Sequence, residues 1–214
     1  MLTRLEFLQI NLGRSKAASN LLEQMCNEVN PNIVCIQEPY LVNQKVVGIP
    51  LKYVVVASNL AKCAVIVRDN TCTIFPILVT PNIVAIKCSY QDKVFLIINT
   101  YIPPFSDFDV VLMEIDGLLR LHRNNPIIMT GDFNAKNTLW GGNITDDRGE
   151  QLSEFFLLHN IFVVNDKHTE ATFETVNGSS WIDLSLTSGE LVSQITHWEV
   201  SDKDSLSDHK YISF

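Results

Sequence analysis

The chain has 214 residues, 46% hydrophobic and 19% charged, with 24 acidic against 16 basic side chains for a formal charge of -8. That length suits one generous core, so a single domain over residues 1–214 is expected. No apolar run approaches the ~18 residues of a membrane helix, and the acidity argues against a protein that holds nucleic acid by a broad basic face.

The amino terminus, MLTRLEFLQINLGRSKAA, is interrupted by polar residues too early for a secretory signal, so the mature chain is expected to start where the sequence does. Five cysteines (Cys26, Cys35, Cys63, Cys72, Cys88) are odd in number and form no CxxC pair. They read as reduced thiols of an intracellular protein, with a Cys63–Cys72 bridge across a hairpin as the alternative. No zinc site is visible.

Leu5 to Ile10 opens as a strand. Ser15 then caps a helix whose apolar positions Ala18, Leu21, Leu22, Met25 and Val29 recur at helical spacing until Asn30-Pro31 stops it. NIVCIQ reads as a buried strand ending at Glu38. The runs KYVVVAS, CAVIV, TCTIFPILV, NIVAIKCSY and KVFLIINTY, parted by Asn, Asp and Pro, predict hairpins of an antiparallel sheet. A second helix is expected over Phe108 to His122, with Val111, Leu112, Ile115, Leu118 and Leu119 as its core stripe.

The strand Ile127 to Thr130 is expected to end at Gly131, releasing Asp132 and Asn134 into a loop with Phe133 packed beneath. DRGEQLSEFFLLHN predicts a third helix with Leu152, Phe155, Phe156 and Leu158 facing inward. After it come IFVVN, ATFETV, a turn at Asn177-Gly178, SSWIDLSLT, SQITHWEVS and HKYISF, all read as β segments. Met25, Met113 and Met129 are assigned to the core. No repeat or linker divides the chain. Many strands with a few interposed helices predict an α/β sandwich of two packed sheets flanked by helices.

Polar residues gather where apolar runs end: Asn11, Glu38, Asn99, Tyr101, Asp132, Asn134, Asp183, and Asp208-His209. Each has a dull reading alone: an Asx turn for Asp132 and Asn134, a loop acid for Glu38, a solvated hairpin end for Asp208. Together they describe one rim carrying a hard-oxygen cation site beside a general base, a setting that suits Mg²⁺. In SWIDLSL, alternation sets Ile182, Leu184 and Leu186 against Trp181, Asp183 and Ser185. A buried Asp183 then needs a partner, for which a histidine is natural.

These residues resemble the exonuclease-endonuclease-phosphatase superfamily of metal-dependent phosphodiesterases. The matching pieces occur in family order along nearly the whole chain: QINLGR, IVCIQEPY, NTYIPP, GDFNA, WIDLSLTS and SDH. Within it the chain is most similar to the apurinic-endonuclease-type nuclease domain of non-LTR (LINE-type) retrotransposons, through NLGRSKAASNLL, IQEPYLVNQKVVGIP, GDFNAKNTLWGG with DRGEQL, and ATFETVNGSSWIDLSLTS. Gly13 and Pro104 depart from the pattern of repair enzymes, which carry an acid and an asparagine there.

The resemblance implies a DNase I-like four-layer sandwich with mainly antiparallel sheets, excised from a polyprotein that also carries a reverse transcriptase. It implies an Mg²⁺-dependent endonuclease, with Mn²⁺ as the other ion, acting on double-stranded DNA in the nucleus and spanning no membrane. The product would be a nick with a 3′ hydroxyl that primes reverse transcription. Glu38 with Asn11 would hold the metal, supported by Asp208. Asp183 would orient His209, Asp132 would handle the attacking water or the leaving oxygen, and Asn134 and Tyr101 would donate to the phosphate. Arg14, Lys136, Asn177 and Trp181 are the expected DNA contacts, with Arg148, Lys16 and Lys45 as further loop cations. The competing readings are an abasic-site repair enzyme, a small-molecule or lipid phosphodiesterase, and an inactive DNA-binding remnant.

Overall fold

The computed structural model describes residues 4–214. In chain order its elements are β1 (Phe7–Asn11), α1 (Lys16–Val29), β2 (Ile33–Gln37), β3 (Leu41–Val42), β4 (Lys45–Val46), β5 (Val54–Ala57), β6 (Cys63–Val67), β7 (Thr73–Val79), β8 (Ile83–Tyr90) and β9 (Lys93–Tyr101). There follow α2 (Phe108–Leu121), β10 (Ile127–Asp132), α3 (Asp147–Leu158), β11 (Ile161–Val163), β12 (Phe173–Thr175), β13 (Gly178–Ser180), β14 (Asp183–Ser188), a 3-10 segment (Gly189–Gln194), β15 (Glu199–Val200) and β16 (Ile212–Ser213).

Two six-stranded sheets result, ordered β15-β16-β1-β2-β6-β5 and β11-β14-β10-β9-β8-β7. Most neighbours are antiparallel, and each sheet holds one parallel pair, β1 with β2 and β9 with β10. The strand-rich middle of the chain is therefore divided between both sheets: β6 pairs with β2 and carries β5 on its outer side, whereas β7, β8 and β9 join β10.

The central strands are buried on both faces, and their alternate residues enter different cores. Leu8, Ile10, Val34 and Ile36 meet Ala18, Leu22 and Met25 of α1. Leu96, Ile98, Met129, Leu184 and Leu186 meet α2 and α3. Phe7, Ile33, Cys35, Ile97 and Ile128 fill the space between the sheets. The layers thus run helix, sheet, sheet, helix, as expected.

The helix boundaries follow local chemistry. Ser15 Oγ accepts from Ala18 N at 3.1 Å, and Asn30 closes α1 in the left-handed region at φ 53°. Asp107 and Asp146 cap α2 and α3 in the same way.

Several expectations fail locally. Leu158 is exposed near the end of α3, and Met113 is exposed on α2. The turn between β12 and β13 is centred on Val176-Asn177, since Thr175 pairs with Gly178. SQITHWEVS is not one strand: its start lies in the 3-10 segment, and only Glu199–Val200 pairs. The free thiols expected at all five cysteines are found, each buried, and the alternative Cys63–Cys72 bridge is not formed.

Candidate active site

The inter-sheet layer changes character along its length. At one end it is Phe7, Ile33, Phe95 and Ile128. Two to four residues further along the strands it becomes amide and hydroxyl: Gln37 Nε2 donates to Asn99 Oδ1 at 2.6 Å, and Asn99 Nδ2 donates to Ile36 O and Ala64 O at 3.0 and 2.8 Å. Ser185 Oγ donates to Gln9 Oε1 at 3.2 Å, and Gln9 Nε2 donates to Gly131 O at 3.2 Å. Asn99, expected at the reactive rim, instead ties the two sheets together. The last inward positions are Asn11, Tyr101, Asp132 and Asp183, so period-two alternation delivers the polar groups to one rim.

Strand register makes the encounter close. Asp132 stands opposite Asp183 in the antiparallel pair and opposite Tyr101 in the parallel one. β10 continues through Gly131 rather than stopping there; a Cβ at that glycine would lie 2.3 Å from Thr100 O, so only glycine lets β9 approach. Phe133 follows into the helix-side core, edge-on to Phe156 with centroids 6.3 Å apart. Trp140 is buried in that core as well.

Asp132 is enclosed by donors: Asn11 Nδ2 reaches its Oδ2 at 2.8 Å, and Asn134 N reaches its Oδ1 at 3.0 Å. Asn134 also donates from Nδ2 to Ile102 O at 3.1 Å. His209 arrives from the far end of the chain, held by a backbone bridge to Phe173 and by ring contact with it at 4.7 Å. Its Nδ1 lies 2.9 Å from Asp183 Oδ2, which leaves Nε2 facing Asp132 Oδ2 at 3.9 Å. Among the described residues, Asp132, Asp183 and His209 form a buried group whose ligand atoms all lie within 4.8 Å of one another.

Burial, with the charge of Asp183 second, pushes the Asp132 carboxyl up to about 7. Burial disfavours the His209 imidazolium, but Asp183, Asp132 and Glu38 outweigh it and raise that group to about 9. Glu38 sits after β2 in the left-handed region at φ 42°. Its carboxylate pairs with Arg14 Nε at 3.1 Å and shares a hydrogen bond with the Tyr101 hydroxyl. Burial and these acids push the Tyr101 phenol upward, so it stays protonated and donates.

Other expected residues lie elsewhere. Asp208 is exposed, its carbonyl accepts from Glu174 N at 2.8 Å, and its carboxylate is not in the buried group. Trp181 leaves the expected face because regular pairing lapses between β13 and β14. Its ring packs over Gly141, and its indole N–H donates to Thr169 O at 3.3 Å. Arg14, Lys136 and Asn177 are exposed. Arg148 is spent on Pro103 O and Ser106 O at 3.1 and 2.8 Å. Sequence reasoning missed the supporting amides Gln9 and Gln37, although Gln9 stands two residues before Asn11 on a strand whose inward period was already visible and Gln37 directly precedes Glu38.

Comparison with known proteins agrees with this geometry. A family model described as endonuclease-reverse transcriptase matches residues 95–213, more than half of the chain. A 115 kDa protein in the type-1 retrotransposable element R1DM of Drosophila melanogaster is 25% identical over 218 residues, covering 97% of this chain and 21% of that protein. The chain thus spans about a fifth of that relative's length.

Among solved structures, the endonuclease domain of TRAS1, a telomere-specific non-LTR retrotransposon, superposes with a TM-score of 0.86 at 27% identity, covering 98% of this chain and 97% of that one. An AP endonuclease from Archaeoglobus fulgidus shares the fold, with a TM-score of 0.72 at 18% identity over 98% of both chains. Fold, site and relatives define an apurinic-endonuclease-like hydrolytic phosphodiesterase of the exonuclease-endonuclease-phosphatase superfamily. Within that class the chain belongs to the endonuclease-reverse transcriptase family.

Proposed function

We propose that this chain is a single endonuclease domain of a larger retrotransposon protein, and that it nicks double-stranded DNA with Mg²⁺ to leave a 3′ hydroxyl for a linked reverse transcriptase to extend. The observation that carries the reading is the Asp183–His209–Asp132 line, buried at the rim where Glu38, Asn11 and Tyr101 converge. The relatives supply the retrotransposon setting. A chromosomal target puts its work in the nucleus. Among the described residues no helix is long and apolar enough to cross a membrane.

The residues fit a hard divalent cation. Two buried carboxylates share one imidazole, and burial, with the Asp183 charge second, raises Asp132, a penalty that a bound cation would relieve. Glu38 offers a carboxylate engaged by an exposed arginine and a phenol, with Asn11 nearby through Asp132. Glu38 and Asn11 would hold Mg²⁺, or Mn²⁺ in its place, and the bound ion supplies charge stabilisation at the phosphate.

The chain's own groups then divide the work. Asp183 holds Nδ1 of His209 and fixes the ring, so that Nε2 presents a proton to a phosphate oxygen at neutral pH. Asp132, titrating near neutrality, moves the proton of the attacking water or the leaving oxygen. Tyr101 and Asn134 donate to the developing charge on the phosphate. Incubating the protein with supercoiled plasmid tests the reading. Mg²⁺-dependent relaxation to nicked circles whose ends a polymerase extends is expected, with loss on adding EDTA. Intact plasmid alongside hydrolysis of a phosphoinositide would overturn it.

A further inference from the structure

Phe105 is fully exposed, at 102% of its reference area, in the turn between β9 and α2. Scattered exposed apolar residues are ordinary on protein surfaces. This one differs in how its backbone is held. Pro103 and Pro104 fix the local φ angles, and Ser106 donates from both N and Oγ to Pro103 O at 3.1 and 2.8 Å. The Arg148 guanidinium grips Pro103 O and Ser106 O, and it rests over the Phe108 ring at 4.8 Å. The turn is therefore braced from α3, and much of the ordering cost of a contact made by its ring is already met in the free protein.

The brace also fixes the backbone that carries Phe105 relative to the reaction centre. Ile102 N donates to Asp132 O at 2.9 Å, and Asn134 Nδ2 donates to Ile102 O. Four residues separate Phe105 from Tyr101, a reach of at most about 14 Å. The nearby cations are largely committed, Arg148 to the brace and Arg14 to Glu38. On a chain of charge -8, little basic surface remains to hold a duplex by its phosphates.

We propose that Phe105 wedges against a base flanking the scissile phosphate of a DNA duplex, positioning the strand over Asp132 and His209. The inference rests on the DNA-nicking reading above. Side chains of this kind unstack a base step or stack on an exposed base, and base–aromatic stacking contributes about 1–3 kcal/mol per base, roughly 5- to 150-fold in affinity.

The full 214-residue chain is assayed on a duplex carrying 2-aminopurine beside the nick position mapped with wild type. Phe105→Ala should lower kcat/KM for nicking at least about tenfold, chiefly through KM, and remove the 2-aminopurine signal that wild type produces on binding. Phe105→Trp should keep both. Phe75→Ala, at an exposed phenylalanine on β7, serves as the surface control and should change neither. Unaltered nicking and an intact signal in Phe105→Ala overturn the inference and leave the nuclease reading standing. So does an outcome in which Phe105→Ala changes only self-association in sedimentation, which would make a second copy the occupant. Failure of wild type to nick any duplex removes both.

Discussion

The two ends of the inter-sheet layer are made by the same strands and have opposite chemistry. At one end Phe7, Ile33, Phe95 and Ile128 interlock as an ordinary dry core. At the other, four residues along β1 from Phe7 and along β10 from Ile128, Asn11 and Asp132 stand where further apolar side chains would continue the pattern. Asp132 there faces a like charge, Asp183, directly across the ladder, an arrangement that opposes folding. The difference shows that the alternation which builds the core also aims the reactive groups, and that the reactive end is held in place by stability generated elsewhere.

Substitutions at the two ends should therefore separate activity from stability. The largest expected effect is on catalysis: Asp132→Ala or His209→Ala should cut nicking by about 10²–10⁴-fold with the fold intact by circular dichroism. A fall below tenfold for both would move the chemistry away from this group. At the dry end, Ile97→Ala should cost about 2–5 kcal/mol in urea unfolding while leaving the rate per folded molecule near wild type. A specific loss of rate there would show that the two ends are coupled. Between them, Asn99→Ala leaves Ile36 O and Ala64 O without their donor, for about 1–3 kcal/mol of stability and a smaller change in rate.

The pH dependence follows from the folded-state shifts. His209 is raised from 6.5 to about 9, so its contribution is complete below about 6.5 and is lost as pH rises through 9. Asp132 is raised from 3.8 to about 7, so folding loses stability as pH climbs across that window and its carboxyl ionises against Asp183. Melting temperatures measured from pH 5 to 9 should decline toward the alkaline side. A rise across that range would reverse both assignments.

Much of this was legible in the sequence because strands buried on both faces still alternate. Asn11, Glu38, Tyr101, Asp132, Asp183 and His209 could be placed on one rim from where apolar runs ended. What was not legible depends on pairing between distant segments. Nothing in KYVVVAS or TCTIFPILV says that one joins β6 and the other β8 in different sheets. Asn99 looks like a rim group until Ile36 and Ala64 are brought against it. Arg148 reads as a free cation until α3 lies beside the Pro103 turn. Trp181 was misplaced because alternation was carried through a break between β13 and β14. Leu158 and Met113 were assigned inward by composition, although neither falls in the buried stripe of its helix.

The central claim, that Asp132 is a reactive group held against the interest of stability, is tested most directly by the melting temperature of Asp132→Asn beside wild type at pH 8 and pH 5. The amide keeps one acceptor oxygen for the Asn134 N–H, sets an NH2 where Asn11 Nδ2 met the second oxygen, and cannot ionise, so its stability relative to wild type depends on pH only through the lost carboxyl. Relative to wild type, the variant should gain stability from pH 5 to pH 8, because only wild type must ionise the buried carboxyl across that range. A variant that loses stability relative to wild type from pH 5 to pH 8 would contradict the account.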